Sequence, residues 1–186
     1  MKPKQTDNSF FNDKVLLRLN NIPKKQSLFV LDAFSGSGSI WKDIQKKYPG
    51  KITTLKIDKE KKQEAFVLLG NNQKYLESLD LGVFDVIDLD AYGIPYQQLK
   101  TVFKKKYKGI IFVTFIQTLM GTLPFDFLED LGYTKAMVKK CPTLFFKNGF
   151  EKLCSFLKIN GVERIKYRQN NRKTYLCFSV VNTPTI

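Results

Sequence analysis

Histidine is absent from this sequence of 186 residues, and cysteine occurs only three times. Without an imidazole the chain can form neither a Ser-His-Asp or Cys-His nucleophile nor a histidine-ligated metal site. Cys141, Cys154 and Cys177 are too widely scattered for a disulfide framework or a Cys-x-x-Cys zinc site. We therefore expect no metal, and a chemistry that relies on carboxylates, glycines, lysines and aromatic rings.

Long apolar runs are also missing. No run approaches the ~18 residues of a membrane span, so no contact with a membrane is expected. Residues 1–10 are polar and lack the apolar core of a signal peptide, which favours a cytoplasmic location. The hydrophobic content of 43% excludes a disordered chain, and the length fits one domain over residues 1–186.

Arginine is scarce, although the chain is strongly basic. Lysine and arginine exceed the acidic residues by 31 − 17 = 14 charges, and only Arg18, Arg164, Arg168 and Arg172 are arginines. Such a charge favours a polyanionic partner, with nucleic acid as the expected one. The basic clusters lie at 104–108 and 168–173. Each has two interpretations, contact with a phosphate backbone or a solvated lysine face.

Predicted strands alternate with predicted helices along the chain. The apolar runs predict strands over 28–33, 52–57, 65–69, 84–89 and 109–114, and a hairpin of 162–167 and 174–181 around 168–172. Helices are predicted over 7–20 (within an N-terminal segment 1–22), 40–48, 59–64, 96–103, 125–131 and 149–160. This order predicts an α/β fold with a doubly wound, mostly parallel sheet, to which the hairpin adds one antiparallel strand.

A loop with two glycines, Asp32-Ala33-Phe34-Ser35-Gly36-Ser37-Gly38, follows the first predicted strand. Glycines there let the backbone pass close to a ligand at a helix N-terminus. The loop lacks the Gly-Lys-Ser/Thr of a phosphate-binding loop, and Trp41 stands where a dinucleotide fold has its third glycine. An acid before the glycines suits a ligand with an ammonium group, such as S-adenosylmethionine. The alternative is a plain tight turn.

Two more polar positions follow the next predicted strands. Asp58 ends the second strand, where it can accept hydrogen bonds from a ribose diol. Asp88 and Asp90, in the segment Phe84 to Pro95, end the fourth strand beside Tyr92. The carboxyl ends of parallel strands face one cleft, so we expect all these acids to lie together. For Asp88 and Asp90, the competing interpretations are a metal-binding Asp-x-Asp, helix caps or a simple turn.

The segments LDAFSGSG and FDVIDLDAYGIP together resemble a class I S-adenosylmethionine-dependent methyltransferase. The resemblance covers roughly residues 28 to 115, and its fourth-strand motif is most similar to the Asp-x-Asp-Pro-(Phe/Tyr)-Gly of the tRNA (guanine-N2)-dimethyltransferase family. Ala91 stands where that family has proline, a difference that concerns the substrate more than the cofactor.

The resemblance implies a cofactor, S-adenosyl-L-methionine, and roles for individual residues. Asp32, Phe34, Gly36, Gly38, Asp58, Asn71 and Asp88 are the implied cofactor-binding residues, with Asn71 near the adenine. Asp90 would accept hydrogen bonds from a target amine, and Tyr92 would stack on the base, so these two are the candidate catalytic residues. The implied activity is methylation of an exocyclic amine of a nucleic-acid base, with RNA favoured over DNA.

Two other functions stay open. One is a methyltransferase with a small-molecule or protein substrate. The other is a non-catalytic nucleic-acid-binding protein with a degenerate methyltransferase fold, which the replacement of proline by Ala91 keeps open. An insertion over 115–148 is expected to recognise the substrate, because loops of that length in compact domains are usually functional.

Overall fold

The computed structural model describes residues 10–60 and 67–180, which contain seven strands, seven α-helices and two short 3-10 helices, Leu81–Val83 and Met120–Thr122. The strands are β1 Ser27–Asp32, β2 Lys51–Asp58, β3 Val67–Leu69, β4 Val86–Leu89, β5 Ile110–Ile116, β6 Val162–Asn170 and β7 Lys173–Val180. The helices are α1 Phe11–Leu19, α2 Ser39–Lys47, α3 Asn72–Ser78, α4 Tyr96–Lys104, α5 Phe125–Asp130, α6 Lys135–Lys140 and α7 Leu144–Ile159.

The strands form one sheet in the order β3-β2-β1-β4-β5-β7-β6. β1 to β5 are mutually parallel, and β7 runs antiparallel to both of its neighbours, β5 and β6. This arrangement confirms the predicted α/β fold with one antiparallel strand. The strand order reverses between β1 and β4, and in open α/β sheets ligands bind at such a switch point, outside the carboxyl ends of the strands.

The helices cover both faces of the sheet, as a parallel sheet requires. Successive residues of a strand point to opposite faces, so Val30 packs with the core under α1 and α2, whereas Leu31 belongs to the larger core on the other face. Trp41 and Ile44 of α2 fill the first core. On the second face, the rings of Phe115 and Phe145 lie in tilted contact, with centroids 5.5 Å apart. Their burial holds the start of α7 against the end of β5.

Several boundaries differ from the prediction. Helix α7 begins at Leu144 rather than Gly149, because Phe145 is fully buried and extends the apolar stripe by a turn. Helix α3 was not predicted, since its single buried residue, Leu76, gives no periodic signal. β6 is three residues longer than expected and β7 begins one residue earlier, which leaves only a two-residue turn, 171–172. The added pairs involve polar residues of an exposed edge strand, which carry no hydrophobic alternation.

The insertion is therefore shorter than 115–148. Phe115 belongs to β5, and the last residues belong to α7, so helices α5 and α6 are what remains between them. The predicted helix over 59–64 lies largely outside the described residues, as do positions 7–9, 65, 66 and 181 of other predicted elements. None of the helices in the described ranges has the length and apolar character needed to cross a membrane.

Helix α1 is joined to the middle of the sheet by a buried ion pair. Arg18 Nε lies 2.7 Å from Asp88 Oδ2, and Arg18 Nη2 lies 2.7 Å from Asp88 Oδ1. The indole Nε1 of Trp41 donates a third hydrogen bond, of 2.8 Å, to Asp88 Oδ2. The two charged side chains are 3% and 2% exposed. This bidentate contact fixes α1 and α2 over the end of β4.

We expect Arg18→Met to lower the free energy of unfolding by about 3–5 kcal/mol, because it leaves the Asp88 carboxylate buried without its counter-charge. Arg164→Met, on the exposed edge of β6, is the control and should cost under about 0.5 kcal/mol. The double variant Arg18→Met, Asp88→Asn removes both charges and keeps an acceptor for Trp41, so it should recover more than half of the loss. Chemical denaturation measures all three. A single variant no less stable than its control would contradict the anchoring role.

Candidate functional site

A cavity of about 800 Å³ lies at the carboxyl ends of β1, β2 and β4, at the switch point of the sheet. All nine residues proposed from the sequence line it: Asp32, Phe34, Gly36, Gly38, Asp58, Asn71, Asp88, Asp90 and Tyr92. They come from four separate segments, and the shared edge of the parallel strands brings them together. The structure thus places every predicted site residue at one cavity.

The loop after β1 depends on its glycines. Gly36 and Gly38 have φ angles of 53° and 64°, in the left-handed region that residues with a Cβ rarely adopt. Gly38 is the N-cap of α2, and the Ser35 amide donates to the Ile57 carbonyl at 3.1 Å. The backbone therefore turns back across the end of β2 and forms one wall of the cavity.

Asp58 holds this loop from the neighbouring strand. Its Oδ2 accepts a hydrogen bond of 2.9 Å from the Gly36 amide, and its Oδ1 accepts one of 3.0 Å from the Glu60 amide. Each carboxylate oxygen has two lone pairs, so both can accept further donors. Asp58 thus combines two properties, a structural link to the glycine loop and a carboxylate on the cavity wall.

Two buried polar groups on the same wall are poorly satisfied by the protein. Ser35 Oγ is buried and has no hydrogen-bond partner among the described residues. Asp32 is 5% exposed, and its one backbone donor, the Phe34 amide, lies 3.4 Å away. Burial and the nearby charge of Asp88 raise the pKa of Asp32 well above its ordinary value, although Arg18 opposes this. Buried groups without partners are costly and usually need an explanation, such as a ligand.

Asp88 lies beside Asp32 in the sheet register, yet its surroundings differ. Both of its oxygens are occupied by Arg18 and Trp41, so the residue lines the cavity while its carboxylate is engaged inside the protein. The sequence predicted a contact between Asp88 and the cofactor. That contact stays a prediction, and the structure adds a structural role, the anchoring of α1.

Asp90 also forms an ion pair with a lysine of α1. Lys14 Nζ lies 3.0 Å from Asp90 Oδ1 and 2.8 Å from Oδ2, and the Thr114 hydroxyl donates to Oδ1. Burial raises the pKa of Asp90, but Arg18, Lys14 and the hydroxyl outweigh it and hold that pKa below its ordinary value. Asp90 is therefore an ionised carboxylate whose charge is compensated by its neighbours.

The sequence analysis missed Lys14 and Arg18, although a signal was present. Both residues lie on the stripe of α1 that also carries Phe11 and Val15, with spacings of three and four residues. Two cations on the buried stripe of a helix need acidic partners in the core. Asp88 at the end of β4 and Asp90 just after it are those partners.

The remaining residues form the rim. Tyr92 is 80% exposed in the turn after Asp90, at the mouth of the cavity. Asn71, the predicted adenine contact, caps α3 by accepting a 2.9 Å hydrogen bond from the Gln73 amide. Asn72, which was not predicted, donates to the Ala33 carbonyl at 3.0 Å and so ties α3 to the glycine loop.

Comparison with known proteins shows a match at the level of structure. No protein-family model and no curated protein matches the sequence. A SAM-dependent methyltransferase from Aquifex aeolicus superposes with a TM-score of 0.54 at 12% identity, covering 95% of this chain and 94% of its own. One from Archaeoglobus fulgidus gives 0.52 at 14% identity, with coverages of 89% and 92%. A possible exported protein from Bordetella parapertussis gives 0.57 at 8% identity, with coverages of 92% and 67%.

At identities this low the superpositions establish the fold alone, and the two methyltransferases are matched over nearly their whole length. The specific likeness to the tRNA (guanine-N2)-dimethyltransferase family, which the fourth-strand motif indicated, is not supported. The sheet order, the glycine loop and the cavity at the switch point all agree with the structural matches. The chain therefore has the fold of the class I S-adenosylmethionine-dependent methyltransferases.

Proposed function

We propose that this protein is an S-adenosylmethionine-dependent methyltransferase that methylates an exocyclic amine of a nucleic-acid base. One observation carries the proposal: the cavity joins a glycine loop with unsatisfied buried polar groups to a charge-compensated carboxylate below an exposed tyrosine. The first part suits the cofactor, and the second suits an acceptor amine.

The residues of the first part fit S-adenosylmethionine. Asp58 can accept hydrogen bonds from the two ribose hydroxyls. Asp32 is a buried acid with a single long hydrogen bond, so an ammonium group beside it would stabilise its ionised form. Ser35 Oγ would gain the partner that it lacks. When bound, the cofactor supplies a methyl group on a sulfonium, which is a good leaving group.

The residues of the second part present an acceptor and a donor side by side. Asp90 Oδ2 takes one short hydrogen bond from Lys14, with Arg18 Nη2 farther away at 3.6 Å, so it keeps accepting capacity. Lys14 Nζ has three N–H donors and lines the same cavity. A base edge that carries an amine beside a ring nitrogen offers the complementary pair of groups. Tyr92, which is exposed at the mouth of the cavity, would stack on the base.

Electrostatics assign Asp90 a positioning role rather than that of a strong base. Its low pKa keeps the carboxylate ionised near neutral pH, where it orients the amine lone pair and stabilises the positive charge that develops on nitrogen. The proton that the methylated amine then loses can pass to water. This chemistry needs no histidine, in agreement with the composition.

The raised pKa of Asp32 makes cofactor affinity dependent on pH. In the free protein the carboxyl is protonated below that raised pKa, whereas a bound ammonium favours its ionised form. We therefore expect the affinity for S-adenosylhomocysteine to increase with pH, by up to about tenfold per unit, as long as pH lies below the raised pKa of Asp32, and to level off above it. Calorimetry at each pH measures the affinity.

Asp32→Asn is the matching variant. Above the raised pKa of Asp32, where the affinity has levelled off, it should weaken binding by about 1.5–3 kcal/mol, and it should remove the pH dependence, because the amide cannot ionise. Asp43→Asn, which alters a partly exposed pair with Lys47 on α2, should leave the affinity curve unchanged. Identical curves for Asp32→Asn and the unchanged protein would refute the ammonium-binding role.

The proposed binding of the acceptor base by Asp90 and Lys14 is tested by the variants Asp90→Ala and Lys14→Met. Methyl transfer to total RNA should fall by about 10²–10³-fold in Asp90→Ala, as for the loss of one positioned transition-state contact. It should fall by about tenfold in Lys14→Met, which loses one hydrogen bond. Single-turnover transfer of a tritiated methyl group at saturating cofactor measures both rates.

Two controls separate this role from cofactor binding. Both variants should keep their affinity for S-adenosylhomocysteine within about threefold, a difference of well under 1 kcal/mol. Lys46→Met, on the exposed side of α2, should retain full activity. Unchanged methyl transfer by Asp90→Ala would show that Asp90 does not position the acceptor.

A further inference from the structure

Helix α6 is the one helix in the described ranges for which no buried residue is recorded. Its six residues, Lys135–Lys140, include three exposed lysines, and only Val138 is half-buried. Lys135 and Lys139 lie four residues apart and therefore share a side of the helix. A segment that adds so little to the core, yet is held as a helix, is available to contact a partner.

The lysines of α6 have no compensating acids. In the described part of the chain, Lys135, Lys139 and Lys140 form no ion pair with a carboxylate. Lys135 lies over the Phe125 ring at 5.4 Å, and exposed Lys147 follows at the start of α7. The positive charge of this surface is thus left for another molecule.

Helix α6 stands at the same edge of the sheet as the cavity. Gln117, directly after β5, donates from its side chain to the carbonyls of Phe145 and Phe146, and its amide donates to the Arg172 carbonyl. The Met120 amide donates to the Pro142 carbonyl, just beyond α6. These hydrogen bonds hold the end of α6, the start of α7 and the turn of the β6–β7 hairpin next to the carboxyl end of β5.

The hairpin turn extends the basic surface and adds an aromatic ring. The guanidinium of Arg172 stacks over Phe146 at 4.0 Å from the ring centroid. Arg172 is exposed, and so is the side chain of Leu119, at 43%. Surfaces that combine cations with stacked aromatic groups are typical of proteins that bind single-stranded nucleic acids.

The other basic cluster has a different position. Residues 104–108 precede β5, so they lie at its amino end, away from the cavity. The seven residues of β5 separate the two edges by about 20 Å, at roughly 3.3 Å per residue. That is more than twice the ~8 Å Debye length at physiological salt. A nucleic-acid strand bound at residues 104–108 would therefore not place one of its bases in the cavity.

We propose that Lys135, Lys139, Lys140, Lys147 and Arg172, here named the α6 surface, dock the phosphate backbone of a single-stranded RNA segment whose base enters the cavity. This inference rests on the proposed function, since it takes the acceptor to be a nucleic-acid base. An unpaired strand fits better than a duplex, because a paired base would have to leave its stack to reach a cavity of this size. RNA presents such unpaired bases in its loops and ends.

The test compares two triple variants with the same loss of charge. Lys135→Gln, Lys139→Gln, Lys140→Gln removes three cations from the α6 surface, and Lys104→Gln, Lys106→Gln, Lys108→Gln removes three exposed cations from the opposite edge. Binding of a fluorescent, unstructured RNA oligonucleotide is followed by anisotropy over a salt series, for the full chain and both variants. Thermal unfolding and S-adenosylhomocysteine calorimetry check that fold and cofactor site are intact.

We expect the α6 triple variant to bind RNA at least tenfold more weakly at 0.1 M salt. The slope of log K against log salt should flatten by about 2, which corresponds to three phosphate contacts on a single strand. The opposite-edge variant should change affinity by less than threefold. Equal losses in the two variants would overturn the docking surface, because they would reflect net charge alone.

Three further outcomes are decisive. A DNA oligonucleotide of the same sequence that binds more tightly, or a duplex that does, would overturn the assignment to single-stranded RNA. An acidic peptide that competes as well as RNA would assign the α6 surface to a protein partner and overturn it too. Absence of any RNA binding, with normal S-adenosylhomocysteine affinity, would overturn the docking proposal and the nucleic-acid substrate while leaving the methyltransferase assignment in place.

Discussion

Charge compensation at the end of β4 is the constraint on which the site depends. Asp32, Asp88 and Asp90 meet where two parallel strands end side by side, and three buried carboxylates without counter-charges would repel one another. Helix α1 supplies Arg18 and Lys14 to this point. The ion pairs therefore do two things at once: they attach an otherwise peripheral helix to the sheet, and they allow an acidic cavity wall to exist inside a folded domain.

The three acids differ because their neighbours differ. Arg18 and Trp41 donate three hydrogen bonds to Asp88, so this carboxylate anchors α1 and α2 to the sheet. Asp90 accepts hydrogen bonds from Lys14 and from the Thr114 hydroxyl. Its lowered pKa keeps the carboxylate ionised, which suits the orientation of an amine. Asp32 is left without a strong donor, and its raised pKa prepares it for a cationic ligand. One short stretch of sheet edge thus holds three acids whose properties are separated by their environments rather than by residue type.

Much of this architecture could be predicted from the sequence. Buried parallel strands appear as short apolar runs such as residues 28–33 and 109–114, and glycines after the first strand mark a turn that other residues cannot adopt. Edge strand β6 and helix α3 were harder, because their stability comes from pairing and from one or two contacts rather than from a periodic apolar pattern. Helix α6 was missed for the same reason, since it has almost no apolar pattern to detect.

The sequence by itself determined the α/β class, the doubly wound order and the set of residues around the cavity, since each depends on local runs and on the rule that parallel strands end at one edge. The tertiary structure alone decided which acids pair with which cations. Arg18 and Asp88 are 70 positions apart, and no local pattern connects them until α1 folds over the sheet. It also decided which lysines lie near the cavity, because the two basic clusters look alike as sequence and differ only in the edge of β5 that they occupy.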